Sequence, residues 1–120
     1  MTETTYVDGF VIPVRKDDKD AYLAMAKKAA EVWRDHGALE VIECWGDDVP
    51  DGKVTSFPMA VKLEADEVVV FSWVVWPSKE ARNAGNEKVM ADPRMAPENM
   101  EMAFDGKRLI YGGFTLLNRG

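Results

Sequence analysis

The chain predicts an α+β protein of the ferredoxin-like kind, a βαββαβ antiparallel sheet with two helices on one face. Three observations lead there. Alternating or continuous apolar runs mark strands at residues 6–15, 39–47, 68–76 and 108–117. Apolar residues at three- and four-residue spacing mark a long helix after the first strand, and a capped segment after the third marks another. Two strand–helix–strand units of this kind close as right-handed crossovers and interleave into one sheet.

Each element has its own local reason. In YVDGFVIPVR, Tyr6, Asp8, Phe10, Ile12 and Val14 share one face, and Val7, Gly9, Val11 and Pro13 share the other. Pro13 has no N–H for a ladder, so pairing on one side should loosen there. Asp17 and Asp18 supply an N-cap and first-turn negative charge to a helix that runs to about His36. Its apolar stripe is Tyr22, Met25, Ala26, Ala29, Trp33 and His36, and Gly37 is a natural C′ residue. The strand at 39–47 places Val41, Glu43, Trp45 and Asp47 on one face. Residues 47–52 are turn-rich, and 53–62 (KVTSFPMAVK) read as an extended segment with room for a short strand, broken by Pro58. The run VVVFSWVVW suits a central strand buried on both faces. Ser78 caps a helix over 79–90, and Asp92-Pro93 ends it. Residues 94–105 are Met- and Pro-rich and irregular, with a turn near 98–102. The last strand, RLIYGGFTLL, holds a glycine pair that marks a bulge or a close approach of backbone or ligand.

Composition bounds the function classes. One hundred and twenty residues make one domain, 1–120, and 47% hydrophobic with 30% charged residues describes an ordinary globular protein. A net charge of −6 argues against nucleic acid and against an anionic membrane surface. The longest apolar run, 68–76, is too short to span a bilayer, and Met-Thr-Glu-Thr-Thr opens the chain without a basic, then apolar, leader. A single cysteine, Cys44, excludes an internal disulfide, fits a reducing cytoplasm, and reads as a small core residue. With one histidine, one cysteine and no ligand spacing, neither a metal nor a cofactor is expected. The acidic run at 47–52 lacks the alternating ligands and terminal Glu of an EF-hand. A sheet with helices on one side leaves its other face bare, here with large apolar groups and Glu43 upon it. The expected remedy is a homodimer whose two sheets face each other as an α+β barrel.

The segments YVDGFVIPV, HGALEVIECWGDDVPDGKVTSFPMAVK, VVFSWVVWPSKEAR, VMADPRM and FDGKRLIYGGF together resemble the YbaA-like family of small bacterial proteins, a domain of unknown function. The likeness runs from Tyr6 to Phe114. It implies a dimeric α+β barrel of the ferredoxin-like type and implies no activity.

The candidate catalytic residues are Glu43, Asp8, His36 and Tyr111. Glu43 and Asp8 stand mid-strand among large hydrophobics, where a carboxyl pKa rises toward neutrality. The competing reading is a structural ion pair with an Arg or Lys. His36 at a helix C-terminus is a proton acceptor near neutral pH or a simple cap. Tyr111 is a hydrogen-bond donor into an interior. Trp45, Asp47, Arg108, Gly112 and Gly113 are the ligand-binding candidates, with Arg108 free to hold an anion or to pair with Glu43. Trp33, Trp73 and Trp76 divide between pocket, core and dimer seam. Two functions follow. One is a small-molecule site in the barrel interior, binding an apolar or planar compound or transferring a proton on it. The other is a non-catalytic dimer whose interior polar groups only specify pairing. A cavity of roughly 300 Å³ or more that converges on Glu43 separates them.

Overall fold

Ten residues, Tyr6–Arg15, form β1, the strand on which the sheet is built. The structure is a computed structural model that describes residues 4–120, so the first three residues of the Met-Thr-Glu-Thr-Thr opening lie outside the described residues. β3 (Glu67–Trp76) runs antiparallel to β1 along its whole length, from Tyr6 opposite Trp76 to Arg15 opposite Glu67. β4 (Ile110–Thr115) pairs with the other edge of β1 only from Tyr6 to Val11, ending before Pro13, where an N–H is missing. β2 (Glu40–Trp45) pairs with the far edge of β3. The order β2-β3-β1-β4, antiparallel throughout, is the predicted ferredoxin-like α+β arrangement.

The long helix α1 (Lys19–Asp35) follows a short 3₁₀ turn at Lys16–Asp18. Asp18 occupies its N-cap position without a side-chain capping bond, so the aspartates contribute charge rather than the expected cap. The C-terminus matches expectation. The His36 N–H reaches the Val32 and Trp33 carbonyls, and Gly37 takes φ +110°, a conformation that glycine adopts without cost. The helix of residues 79–91 begins where Ser78 Oγ accepts the Ala81 N–H at 3.1 Å, and it stops at Asp92-Pro93.

Residues 53–62 differ from expectation. They hold no strand but a single helical turn, α2 (Phe57–Ala60). Ser56 Oγ accepts the Met59 N–H at 3.1 Å, and Pro58 sits in the first turn, where its missing N–H has no partner to lose. In chain order the helix at Lys79–Ala91 is therefore α3.

The two sheet faces are also assigned differently. The face carrying Glu43 is the covered one. Ile12, Val14 and Val70 on that side pack with Tyr22 and Ala26 of α1, and Tyr6, Val74 and Trp76 pack with Trp33. Alternation fixes which residues share a face. The helices then take the side with more large apolar groups to bury. The opposite face is covered at one end only, where Val61 and Leu63 pack on Val11 and Val69. There Phe71 stays 44% and Phe114 62% exposed, so β3 is not buried on both faces as predicted. Cys44, opposite Phe71 in the β2–β3 register, is exposed on this side rather than a core residue.

Residues 92–109 cross back over the covered face as an irregular strap. At one end Arg94 bridges Asp92 and Asp35, both at 2.8 Å. At the other, Arg108 holds Glu67 at 2.6 Å and Asp105 at 2.8 Å.

Candidate functional site

Register sets Glu43, Ser72, Phe10 and Tyr111 in one row across all four strands, on the covered face. Strands spaced at about 4.8 Å put the ends of this row roughly 14 Å apart. Tyr22, Met25 and Trp33 of α1 stand over the row, with Arg82, Asn86 and Met90 of α3 and Met95, Met100 and Phe104 of the strap. Between floor and roof is a solvent-open cavity of about 420 Å³ with mainly apolar walls. It lies within one chain, between sheet and helices, and not between two facing sheets as expected. Five methionines border it, and unbranched thioethers adapt to varied apolar shapes.

Glu43 and Tyr22 form its polar corner. Tyr22 OH donates to Glu43 Oε1 at 2.6 Å. Glu43 stands on an edge strand and keeps solvent access, unlike the buried carboxylate expected. Its apolar surroundings still push its carboxyl pKa up, and the Tyr22 hydrogen bond pulls it partly back. Tyr22 itself is buried, which raises its phenol far above the usual range; the bond to Glu43 and its charge add to the rise. It therefore stays a donor. Among the described residues no Arg or Lys pairs with Glu43, and its Oε2 accepts no hydrogen bond. One carboxylate oxygen is steadied and the other is unengaged, the arrangement a general base would need.

Asp8 has a different role. It is 5% exposed, and its carboxylate is fully engaged. Trp76 Nε1 donates to Oδ2 at 3.0 Å, and Arg82 donates to Oδ1 from Nε at 3.1 Å and from Nη2 at 2.9 Å. The hydrogen bond to Asp8 raises the Arg82 pKa further, and the guanidinium lies 5.1 Å over the Tyr6 ring. Asp8 thus anchors α3 to the sheet, the ion-pair alternative of the sequence reading.

The other candidates scatter. Tyr111 borders the cavity at the end of the row, stacked on Phe10 at 6.2 Å and largely exposed. Gly112 and Gly113 form no bulge, because they continue the ladder opposite Gly9 and Asp8. A Cβ on Gly113 would fall on the Tyr6 hydroxyl and 2.9 Å from an Arg82 nitrogen, so this glycine makes room for that cluster. Gly112 faces the other side, beside the Phe114 ring. Trp45 packs on the Ile12–Val14 cluster under Lys19 and does not border the cavity. Asp47 lies in the turn after β2, also outside it. His36 puts Nε2 2.8 Å from Asp92 Oδ2, away from the cavity lining. Arg108 pairs with Glu67 and Asp105, not with Glu43, beside a smaller polar hollow of about 310 Å³. Its hydrogen bonds hold the Glu67 carboxyl below the usual range. Among the described residues no group of three or more His, Cys, Asp or Glu side chains is placed to hold a metal.

Arg82 and Asn86 were not among the candidates. Their signal was spacing: Arg82, Asn86 and Met90 recur every four residues, which puts them on one helix face. The partner of Glu43, Tyr22, was visible only as part of the α1 stripe.

A family model described as a protein of unknown function, DUF1428, matches residues 5–106. The chain belongs to the DUF1428 family. The uncharacterized protein YbaA of Escherichia coli strain K12 is 62% identical over 109 residues, covering 91% of this chain and 93% of that protein. YbaA of Shigella flexneri is similar to the same extent. These findings bear out the resemblance read from the motifs. Among solved structures, the de novo designed protein Foldit4 is similar at 15% identity and a TM-score of 0.44, over 96% of this chain and 99% of its own. The DUF1428 match takes in Asp8, Tyr22, Glu43, Ser72, Arg82 and Asn86, while Tyr111 falls beyond it. No helix among the described residues of this DUF1428 protein is long and apolar enough to cross a membrane.

Proposed function

We propose that this chain is a single-domain, cytoplasmic homodimer that binds a small, mainly apolar compound between its sheet and helices and moves a proton on it at Glu43. The observation that carries this reading is the Tyr22–Glu43 pair at the wall of a 420 Å³ cavity. Glu43 Oε2 takes a proton from the bound compound, and Tyr22 OH holds the carboxylate in place while the proton is held and returned. A base placed in this way contributes about 10²–10⁴-fold. Neither metal nor cofactor is part of the scheme. Dimerisation is supported by the uncovered apolar face with Phe71 and Phe114. That same face supports the second reading, a non-catalytic dimer.

The test is a thermal-shift screen of small ketones and aromatic compounds at pH 7, followed by NMR in D₂O for exchange of carbon-bound protons in each hit. The wild type should catalyse exchange. Glu43→Gln should bind the same compound and lose at least a hundredfold in rate. If no compound raises the melting temperature, or exchange survives in Glu43→Gln, the proton-transfer reading fails.

A further inference from the structure

We infer that Ser72 is a second catalytic residue of the cavity and that the compound taken up is a ketone. The Ser72 hydroxyl donates to the carbonyl oxygen while Glu43 removes a proton from the carbon beside it. The inference rests on the proton-transfer reading of Glu43 and goes further, to the chemical class of the substrate and the group that meets its developing charge.

Ser72 is the one polar residue in VVVFSWVVW, residues 68–76. Val70 and Val74 flank it on the covered face, where a third valine would continue the pattern and bury more apolar area. The residue is 3% exposed, and a hydroxyl so placed costs stability unless a partner reaches it. Among the described residues nothing hydrogen-bonds to Ser72 Oγ. Nor is this oxygen sealed in: the unpartnered side-chain atom shut away from solvent among the described residues is Asn86 Oδ1. Ser72 Oγ therefore opens onto the cavity that its residue borders.

Register gives Ser72 two neighbours in the floor of the cavity, Glu43 on one side and Phe10 on the other. Directly opposed side chains on adjacent strands stand about 4.5–5.5 Å apart at Cβ. A ketone matches that spacing, because its oxygen and its removable hydrogen sit on adjacent carbons. A flat ring joined to it would lie toward Phe10 and Tyr111, which stack along the same row. Glu43 Oε2 takes the proton, the C–H pair becomes a carbon–carbon double bond, and the carbonyl π pair moves onto oxygen. There the Ser72 O–H donates a hydrogen bond and keeps its own proton. Return of the proton from Glu43 to carbon restores the ketone. Two other donors at the cavity are already committed, Tyr22 OH to Glu43 and Arg82 Nε and Nη2 to Asp8. A donor fixed at a developing oxyanion accounts for about 10²–10³-fold in rate.

Proton NMR in D₂O at pH 7 tests this with 2-tetralone, a flat apolar ketone, by following deuterium into the carbons beside its carbonyl. The wild type should exchange these protons faster than buffer does. Ser72→Ala should lower kcat about a hundredfold and move KM by less than about threefold. It should melt no lower than wild type, because it removes a hydroxyl that has no partner. Ser72→Thr keeps the hydroxyl and should hold kcat within about tenfold of wild type. Exchange lost in Glu43→Gln but undiminished in Ser72→Ala overturns the role of Ser72 and leaves the Glu43 reading standing. Equal losses in Ser72→Ala and Ser72→Thr overturn it too, since shape and not the hydroxyl then decides the rate. A Ser72→Ala melt several degrees below wild type makes the hydroxyl a structural group and overturns it as well. If the wild type leaves 2-tetralone at the buffer rate, or Glu43→Gln exchanges it as fast as wild type, this inference and the proton-transfer reading fall together.

Discussion

Glu43 and Asp8 begin as the same residue type in the same setting, a carboxylate in a strand of large hydrophobics, and end with opposite duties. The difference is their partners. Asp8 meets a guanidinium and an indole N–H, and removing either charge of that buried pair would strand the other at about 3–5 kcal/mol. Glu43 meets a phenol, which steadies a carboxylate without neutralising it. Because its folded-state pKa is raised, Glu43 stabilises the fold most below its unfolded value near 4.5, and that contribution is lost as pH rises through the folded value. Glu43→Gln keeps an acceptor for Tyr22 and removes the charge. Thermal melts should therefore show it level with wild type near pH 4 and more stable at pH 8. The gain should stay below about 1 kcal/mol, since water reaches the site through the open cavity and screens the charge. A loss of stability at pH 8 would mean that an unrecognised cation pairs with Glu43.

At the scale of elements, α3 is held by shape as much as by charge. Gly85→Ala improves helix propensity by about 1 kcal/mol. It also drives a methyl group into Trp76, which is 0% exposed and has nowhere to move. Overpacking of this kind costs typically 1–3 kcal/mol, so the variant should be about 1 kcal/mol less stable in urea denaturation, and a more stable variant would contradict the packing described. The elements themselves were largely legible. β1 was read to the residue, and Ser78, Asp92-Pro93 and Gly37 marked helix ends because caps and prolines act through their immediate neighbours. Residues 53–62 were misread because a single turn has no period to detect, although Ser56 before Pro58 was its signature. The site was legible only in part. Glu43 stood out as a charge in a strand, whereas Arg82 and Asn86 looked like the polar side of a short helix. Which sheet face the helices would cover was not contained in alternation, which sorts residues into two sets without saying which set turns inward.

The whole molecule presents one finished face and one bare one. Phe71, Ile110 and Phe114 stand exposed on the bare side, beside the Phe57–Phe71–Trp73 aromatic cluster. Sedimentation equilibrium at micromolar concentration should give twice the 13.4 kDa chain mass. Phe114→Lys, on a side chain already 62% exposed, should give a folded monomer with little change in stability. A wild type that sediments as a monomer would end the case for pairing through this face.

The cavity is lined by the strands, helices and strap of a single chain, and the bare face lies on the far side of the sheet from it. Occupancy and association are thus separable properties. Each chain would take up its own molecule of ligand, one per polypeptide, along a simple hyperbolic isotherm. Dilution that splits a pair of chains would leave the affinity of each where it was.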